Sequence, residues 1–160
     1  AARKMRAAGV EGSFFVLVGR IGEAGSLSRD DLHEMMDLGM EIGLHGRDHV
    51  NWRDTDDATL RSEIDLARAE LADILGRPVT SVAIPFGAYN RRVWNYLERS
   101  DFARIYTSDR GLSRPDERFV RRHTIAAHHT IADLPVMRSG EASFVGRLRR
   151  TVMPLLKRVA

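Results

Sequence analysis

Two imidazoles four residues apart carry the clearest chemistry in this chain. They stand in His45-Gly46-Arg47-Asp48-His49, an H-x-x-x-H pair. If the segment turns helically, side chains at i and i+4 face the same way, and both rings can hold one metal ion. Neutral imidazole suits Zn²⁺ or another borderline divalent metal. Two such ligands leave a site incomplete, so a third must be found. The plainer alternative is a pair of ordinary loop histidines. A second segment, Pro85-Phe86-Gly87-Ala88-Tyr89-Asn90, has the composition of a strand-to-helix turn. Proline ends a ladder, Gly87 tolerates an unusual backbone angle, and Asn90 can cap a following helix.

The elements around these segments follow from apolar periodicity. Ser13 to Val18 is a short apolar run that predicts a buried strand. Ser28-Arg29-Asp30-Asp31 reads as a helix cap, followed by Leu32, Met35, Met36 and Leu38 and stopped by Gly39. Met40 to Leu44 predicts a second strand, which runs directly into His45. Leu60, Ile64, Ala67, Leu71, Ile74 and Leu75 form one stripe of an amphipathic helix over 58–75. A third strand is expected over 81–84, a helix over 91–99, a fourth strand over 104–107 and a short fifth over 119–121. The pattern is α/β with a parallel sheet. In such folds ligands sit at the C-terminal ends of strands. His45 and Pro85 would therefore share one rim. Phe144, Leu148, Val152, Leu155, Leu156 and Val159 predict an amphipathic C-terminal helix, kinked at Pro154.

Composition narrows the classes. The chain has 160 residues, 43% hydrophobic and 29% charged, as expected of one globular domain. It has no cysteine, hence no disulfide or thiolate site. Its first residues lack the apolar core of a signal peptide, and the sequence leaves the compartment open. Five of its 25 basic residues and none of its acids lie in 144–160. That leaves 20 bases against 22 acids, a net charge of −2, for 1–143. The body is thus no basic nucleic-acid surface, and no nucleic-acid partner is expected. The basic C-terminal helix could lie on an anionic membrane surface or leave its arginines in water. Ala1 to Gly9 reads as the last turns of a helix closed by glycine, with a strand expected before residue 1.

Taken together, three stretches resemble the polysaccharide deacetylase family, the NodB-homology domain of carbohydrate esterase family four. Gly9-Val10-Glu11-Gly12-Ser13-Phe14-Phe15-Val16 is similar to its F-F-V strand. Gly39-Met40-Glu41-Ile42-Gly43-Leu44-His45-Gly46-Arg47-Asp48-His49 resembles its metal motif. Ala83-Ile84-Pro85-Phe86-Gly87-Ala88-Tyr89-Asn90 resembles its P-F-G-x-Y-[ND] motif. The resemblance implies a distorted (β/α) barrel over 1–140, N-terminally truncated, with 141–160 as a separate basic helix. It implies a metal-dependent hydrolase that removes acetyl groups from a carbohydrate, with a divalent metal, commonly zinc, on His45 and His49. It assigns the Phe86 backbone N–H as oxyanion donor. The third ligand and the general base would be an Asp-Asp pair upstream of residue 1, so the 160 residues alone are expected to bind metal weakly and to be inactive. An acetylated carbohydrate is the implied substrate, with Trp52, Pro85, Tyr89 and Asp109 as candidate substrate contacts; the alternatives are a buried structural role for Trp52 and a turn-forming role for Asp109. Arg121 or Arg122 could pair with Asp109. Many members carry an arginine two residues before the proline, where this chain has Ala83. No clean match to the family's general acid is found; His123, His128 and His129 stand in the wrong context. A non-catalytic carbohydrate-binding or scaffold domain on the same fold is the alternative.

Overall fold

The computed structural model describes residues 1–123 together with Ile125, Thr130, Ala132, Pro154, Leu156 and Lys157. The C-terminal helix expected over 141–160 therefore lies, apart from those last three residues, outside the described residues, as do His128 and His129.

A short helix α1 (Ala2–Ala7) leads into strand β1 (Ser13–Val16). Helix α2 (Arg29–Asp37) precedes β2 (Glu41–Leu44). A long helical stretch follows as α3 (Asp57–Arg61), a π-helical turn (Ser62–Leu66) and α4 (Ala67–Leu75). Then come β3 (Ser81–Ala83), α5 (Arg91–Arg99), β4 (Arg104–Thr107) and β5 (Phe119–Arg121). All four pairings are parallel, in the order β1-β2-β3-β4-β5. Parallel neighbours need long crossovers, and helices supply the first three. The expected α/β architecture with a parallel sheet is what forms.

The strand pleat sorts residues onto two faces. Val16, Leu44, Val82, Ile105 and Phe119 form one row in register. That row faces the helices, packing into a core with Leu32, Leu60, Ile64, Leu71, Val93 and Leu97. The opposite face carries Phe15 beside Gly43, and Ala83 beside Tyr106 and Val120. Phe15 and Tyr106 lie three strands apart, roughly 14 Å in a flat sheet at about 4.8 Å per step. Yet their ring centroids are 5.0 Å apart. The sheet curls, and the rings lean over the small residues of the strands between them. A Cβ on Gly43 would sit 2.6 Å from Phe15 Cε1. This curled sheet is the barrel-type fold the sequence implied.

Strand β1 is shorter than expected. Val18 and Gly19 leave the ladder, and their N–H groups donate to Gly46 O and Arg47 O at 3.0 Å each. The end of β1 thus holds the loop that follows β2, where the histidines lie.

Candidate active site

His45 is the first residue after β2, on the face that bears Gly43. Its backbone N–H donates to Val16 O at 2.8 Å. Its Nδ1 lies 2.8 Å from Ala83 O. A carbonyl can only accept, so Nδ1 carries the proton and the Nε2 lone pair is left for a ligand. Burial pushes the His45 pKa down; the Ala83 carbonyl opposes this, and the charges of His49 and Arg122 add to it. The ring is therefore held in the neutral form that binds metals.

The segment 45–49 is a loop and not a helical turn, so the i, i+4 spacing is not what brings the rings together. Gly46 has φ +93° and His49 φ +59°. The loop doubles back through these two left-handed residues and brings the ring centroids to 5.0 Å. What holds it is Glu63, a residue the sequence reading did not single out. Its side chain is buried, and its carboxylate accepts from Arg47 N at 3.1 Å, Asp48 N at 2.9 Å and Trp52 Nε1 at 3.2 Å. One carboxylate thus collects two of the three N–H groups between the histidines and the indole beneath them. Glu63 lies in the π-helical turn, an irregularity often found where a helix serves a site. At Gly46 a Cβ would overlap Glu63 Oε2.

Trp52 is corrected by the same arrangement. It is 0% exposed and hydrogen-bonded to Glu63, so it is a buried support of the loop and not a wall for a sugar. The exposed aromatic surface belongs to Phe86, which is 64% exposed and stacks on His49 with centroids 4.3 Å apart.

Pro85 to Gly87 form a 3-10 turn directly after β3, with Phe86 at φ +57°. A phenylalanine held in this region stores strain that the surroundings must sustain. The N–H groups of Gly87 and Ala88 turn back to Ile84 O and Pro85 O. Among the described residues no acceptor takes the Phe86 N–H. Asn90 caps α5 as expected, its Oδ1 accepting from Val93 N at 3.1 Å.

Pro85 and Tyr89 are buried. Tyr89 donates its hydroxyl to Asp109 Oδ2 at 2.5 Å. Lys157 Nζ donates to Asp109 Oδ1 at 2.8 Å and to Gly87 O at 3.0 Å, and lies 4.7 Å from the Tyr89 ring centroid. Asp109, with only 5% of its side chain exposed, is thus committed to Lys157 and Tyr89 and not to Arg121 or Arg122. Pro85, Tyr89 and Asp109 brace the turn from below. His123 Nε2 accepts from Gly111 N at 3.0 Å and ties two loops together. A cavity of about 270 Å³ opens on the helix side of the sheet, beside Trp94, Thr107, Phe119 and Arg121, and neither His45 nor His49 lines it.

Two imidazoles with ring centroids 5.0 Å apart, the first with its Nε2 lone pair left over, fit a divalent metal as two of its ligands. Among the described residues no third His, Cys, Asp or Glu joins them. The curled parallel sheet thus carries two histidines and an unused amide together at its C-terminal rim, where ligands sit in such folds.

The chain belongs to the polysaccharide deacetylase family, whose model matches residues 2–105. Among solved structures it is similar to the Streptococcus pyogenes deacetylase PplD in complex with acetate, at 18% identity and TM-score 0.77, covering 85% of this chain and 62% of that one. It is similar to IcaB from Ammonifex degensii, at 22% identity and TM-score 0.68, covering 88% and 66%. It is also similar to BA3943, a CE4-family pseudoenzyme from Bacillus anthracis, at 16% identity and TM-score 0.57, covering 65% and 36%. At these identities the likeness is one of fold. No match is found among the curated proteins.

Proposed function

We propose that this chain carries the site of a hydrolase that removes acetyl groups from a carbohydrate, with a divalent metal, zinc by donor chemistry, on His45 and His49. The observation that carries the reading is the fixed tautomer of His45, with Nδ1 spent on Ala83 O and Nε2 free, beside the ring of His49. When bound, the metal supplies Lewis acidity toward an acetyl carbonyl and a water molecule near neutral pH. The chain's own residues do the rest. Ala83 O and Glu63 hold the two imidazoles in place. The Phe86 N–H, at the rim beside His49, donates to the oxygen that becomes negative when the acetyl carbon turns tetrahedral. Such a donor is worth about 10²–10³ in rate. The exposed Phe86 ring offers a flat apolar surface to a sugar. Among the described residues none is assigned as third ligand, general base or general acid.

The test is acetate release from an acetylated chito-oligosaccharide by the natural full-length protein. Release should stop with a chelator, return with zinc, and be lost in H45A and in H49A. Turnover that survives either substitution would sink the reading. A second reading, a non-catalytic carbohydrate-binding or scaffold domain, is favoured by one observation, the want of a third ligand among the described residues. Stoichiometric zinc in the full-length protein decides against it.

A further inference from the structure

The turn after β3 is held by a lysine from far along the chain. Lys157 Nζ donates to Gly87 O at 3.0 Å and to Asp109 Oδ1 at 2.8 Å, and lies 4.7 Å from the centroid of the Tyr89 ring. Asp109 is buried, and its second oxygen is taken by the Tyr89 hydroxyl. Three contacts thus fix the ammonium, and the carbonyl it reaches belongs to the turn. That turn has two successive left-handed residues, Phe86 at φ +57° and Gly87 at φ +61°. It is packed closely on the loop that bears Asp109, since a Cβ on Gly87 would meet Ser108 Cβ at 2.5 Å.

The peptide groups of this turn are joined in series. Gly87 O and Ala88 N–H belong to one peptide plane, and Pro85 O and Phe86 N–H to another. In a trans peptide the carbonyl and the N–H point opposite ways. Ala88 N–H donates to Pro85 O at 3.1 Å. A chain therefore runs from Lys157 Nζ to Gly87 O, through that peptide to Ala88 N–H, on to Pro85 O, and through the second peptide to Phe86 N–H. Bonds in such a chain polarise one another, by about 10–30% each. With a cation at its head, the N–H at its tail becomes a stronger donor. The same bonds fix the plane of the Pro85–Phe86 peptide, so that this N–H faces away from the turn. Gly87 N–H stands outside the chain, bonded to Ile84 O at 3.0 Å.

We propose that Lys157 is a positioning residue for the Phe86 N–H, orienting and polarising it through two peptide groups. The inference rests on reading that N–H as the donor to the oxygen of the tetrahedral acetyl carbon. It gives this task to a residue 70 positions beyond the turn. Negative charge gathers on that oxygen in the transition state, so a more polar N–H lowers the barrier more than it tightens the substrate.

The experiment reads the backbone N–H resonances of Phe86, Gly87 and Ala88 in the natural full-length protein, free of substrate, by residue-selective labelling. In K157M the Ala88 and Phe86 protons move upfield while that of Gly87 stays, and K157R, which keeps the charge, restores them in part. Because K157M leaves the buried Asp109 carboxylate without its cation, the double variant K157M/D109N is measured beside it, with the same pattern expected. Resonances that stay in place overturn the proposal. So do three resonances that move alike, as in a turn that has merely opened. With an acetylated chito-oligosaccharide, weakening by about 10–30% a donor worth about 10²–10³ in rate lowers kcat about two- to eightfold in K157M, with KM within about twofold of the parent. A raised KM at unchanged kcat overturns the proposal as well. The resonances need no turnover. A protein that releases no acetate from sugars but shows the shifts loses the proposed function and keeps this inference. An active protein whose resonances do not move does the reverse.

Discussion

Replacing Glu63 tests the central structural claim, that the two histidines converge because a buried carboxylate gathers the loop between them. In E63Q the amide oxygen can take the place of Oε2 and keep the bonds from Arg47 N and Trp52 Nε1. The NH₂ group then faces Asp48 N–H, which was bonded to Oε1 at 2.9 Å. Two donors meet, and one bond to a charged acceptor is lost, costing about 1.5–3 kcal/mol. E63A loses all three bonds. The Arg47 and Asp48 amides lie in a partly exposed loop and can regain water, but the indole N–H of fully buried Trp52 cannot. The expected loss is about 3–5 kcal/mol, a large share of the roughly 5–15 kcal/mol that holds a domain folded. Urea unfolding reads this directly. Zinc affinity, read by competition with a chelating dye, should fall about 10–100-fold in E63Q, as when a group behind a ligand is removed. If E63A unfolds within about 0.5 kcal/mol of the parent, the ordinary range for a surface substitution, or if E63Q binds zinc unchanged, Glu63 does not organise this loop.

The other expectations are shorter. G46A forces a side chain into left-handed backbone and into Glu63 Oε2, so it should cost at least about 1–2 kcal/mol in urea unfolding and loosen zinc binding; an unchanged midpoint would contradict the packing. H45A and H49A should each reduce zinc affinity by more than the roughly 10–100-fold assigned to supporting groups, with little change in the far-UV spectrum; a variant that retains parental affinity would remove that residue from the ligand set. The Asp31 carboxyl is held below its ordinary range, first by the Ser28 hydroxyl and then by the Ser28 N–H. Its folded pKa is the lower one, so its contribution is complete above the unfolded value of about 3.9 and is lost as pH falls through the folded value. D31N should therefore melt lower than the parent at pH 7 and converge with it in acid; a gap that persists at low pH would mean the carboxylate is not the cause.

How far the sequence could be read depended on whether a residue's role is set by its neighbours along the chain. Arg91–Arg99, Arg104–Thr107 and Phe119–Arg121 form the elements expected of them, because apolar spacing within each segment decides them. The His45–His49 pair was found by type and spacing, which bring the rings together only if the segment turns helically. A glycine at φ +93° and a carboxylate 16 residues away decide that backbone instead. Trp52 was open for the same reason, since a polar loop gives no local sign that its indole will be buried. Glu63 did leave a signal. It lies three residues after Leu60 and four before Ala67, on the apolar stripe of its helix. An acid in that stripe must be paired or bonded when buried, and the donors it meets mark the loop it serves. Arg122 left none: its position 5.7 Å from the Phe15 ring exists only once the sheet has curled.

The charges on the inner face of the sheet add one constraint to the whole. His45 is neutral there and Arg122 is positive. Asp109 and Glu63 are each spent on their own donors, and Glu41, at the far end of β2, accepts from Ser13 at 2.5 Å. A divalent cation between the imidazoles would raise the positive charge of the hollow, where no free carboxylate offsets it among the described residues. Coulomb repulsion between such a cation and the Arg122 guanidinium, whose charge already helps to depress the His45 pKa, is screened poorly where water is excluded. Removing that charge should therefore tighten zinc binding. Measuring zinc affinity in the parent and in R122Q reads this directly. Equal affinity in the two, or a weaker grip in R122Q, would mean that the guanidinium does not oppose the metal.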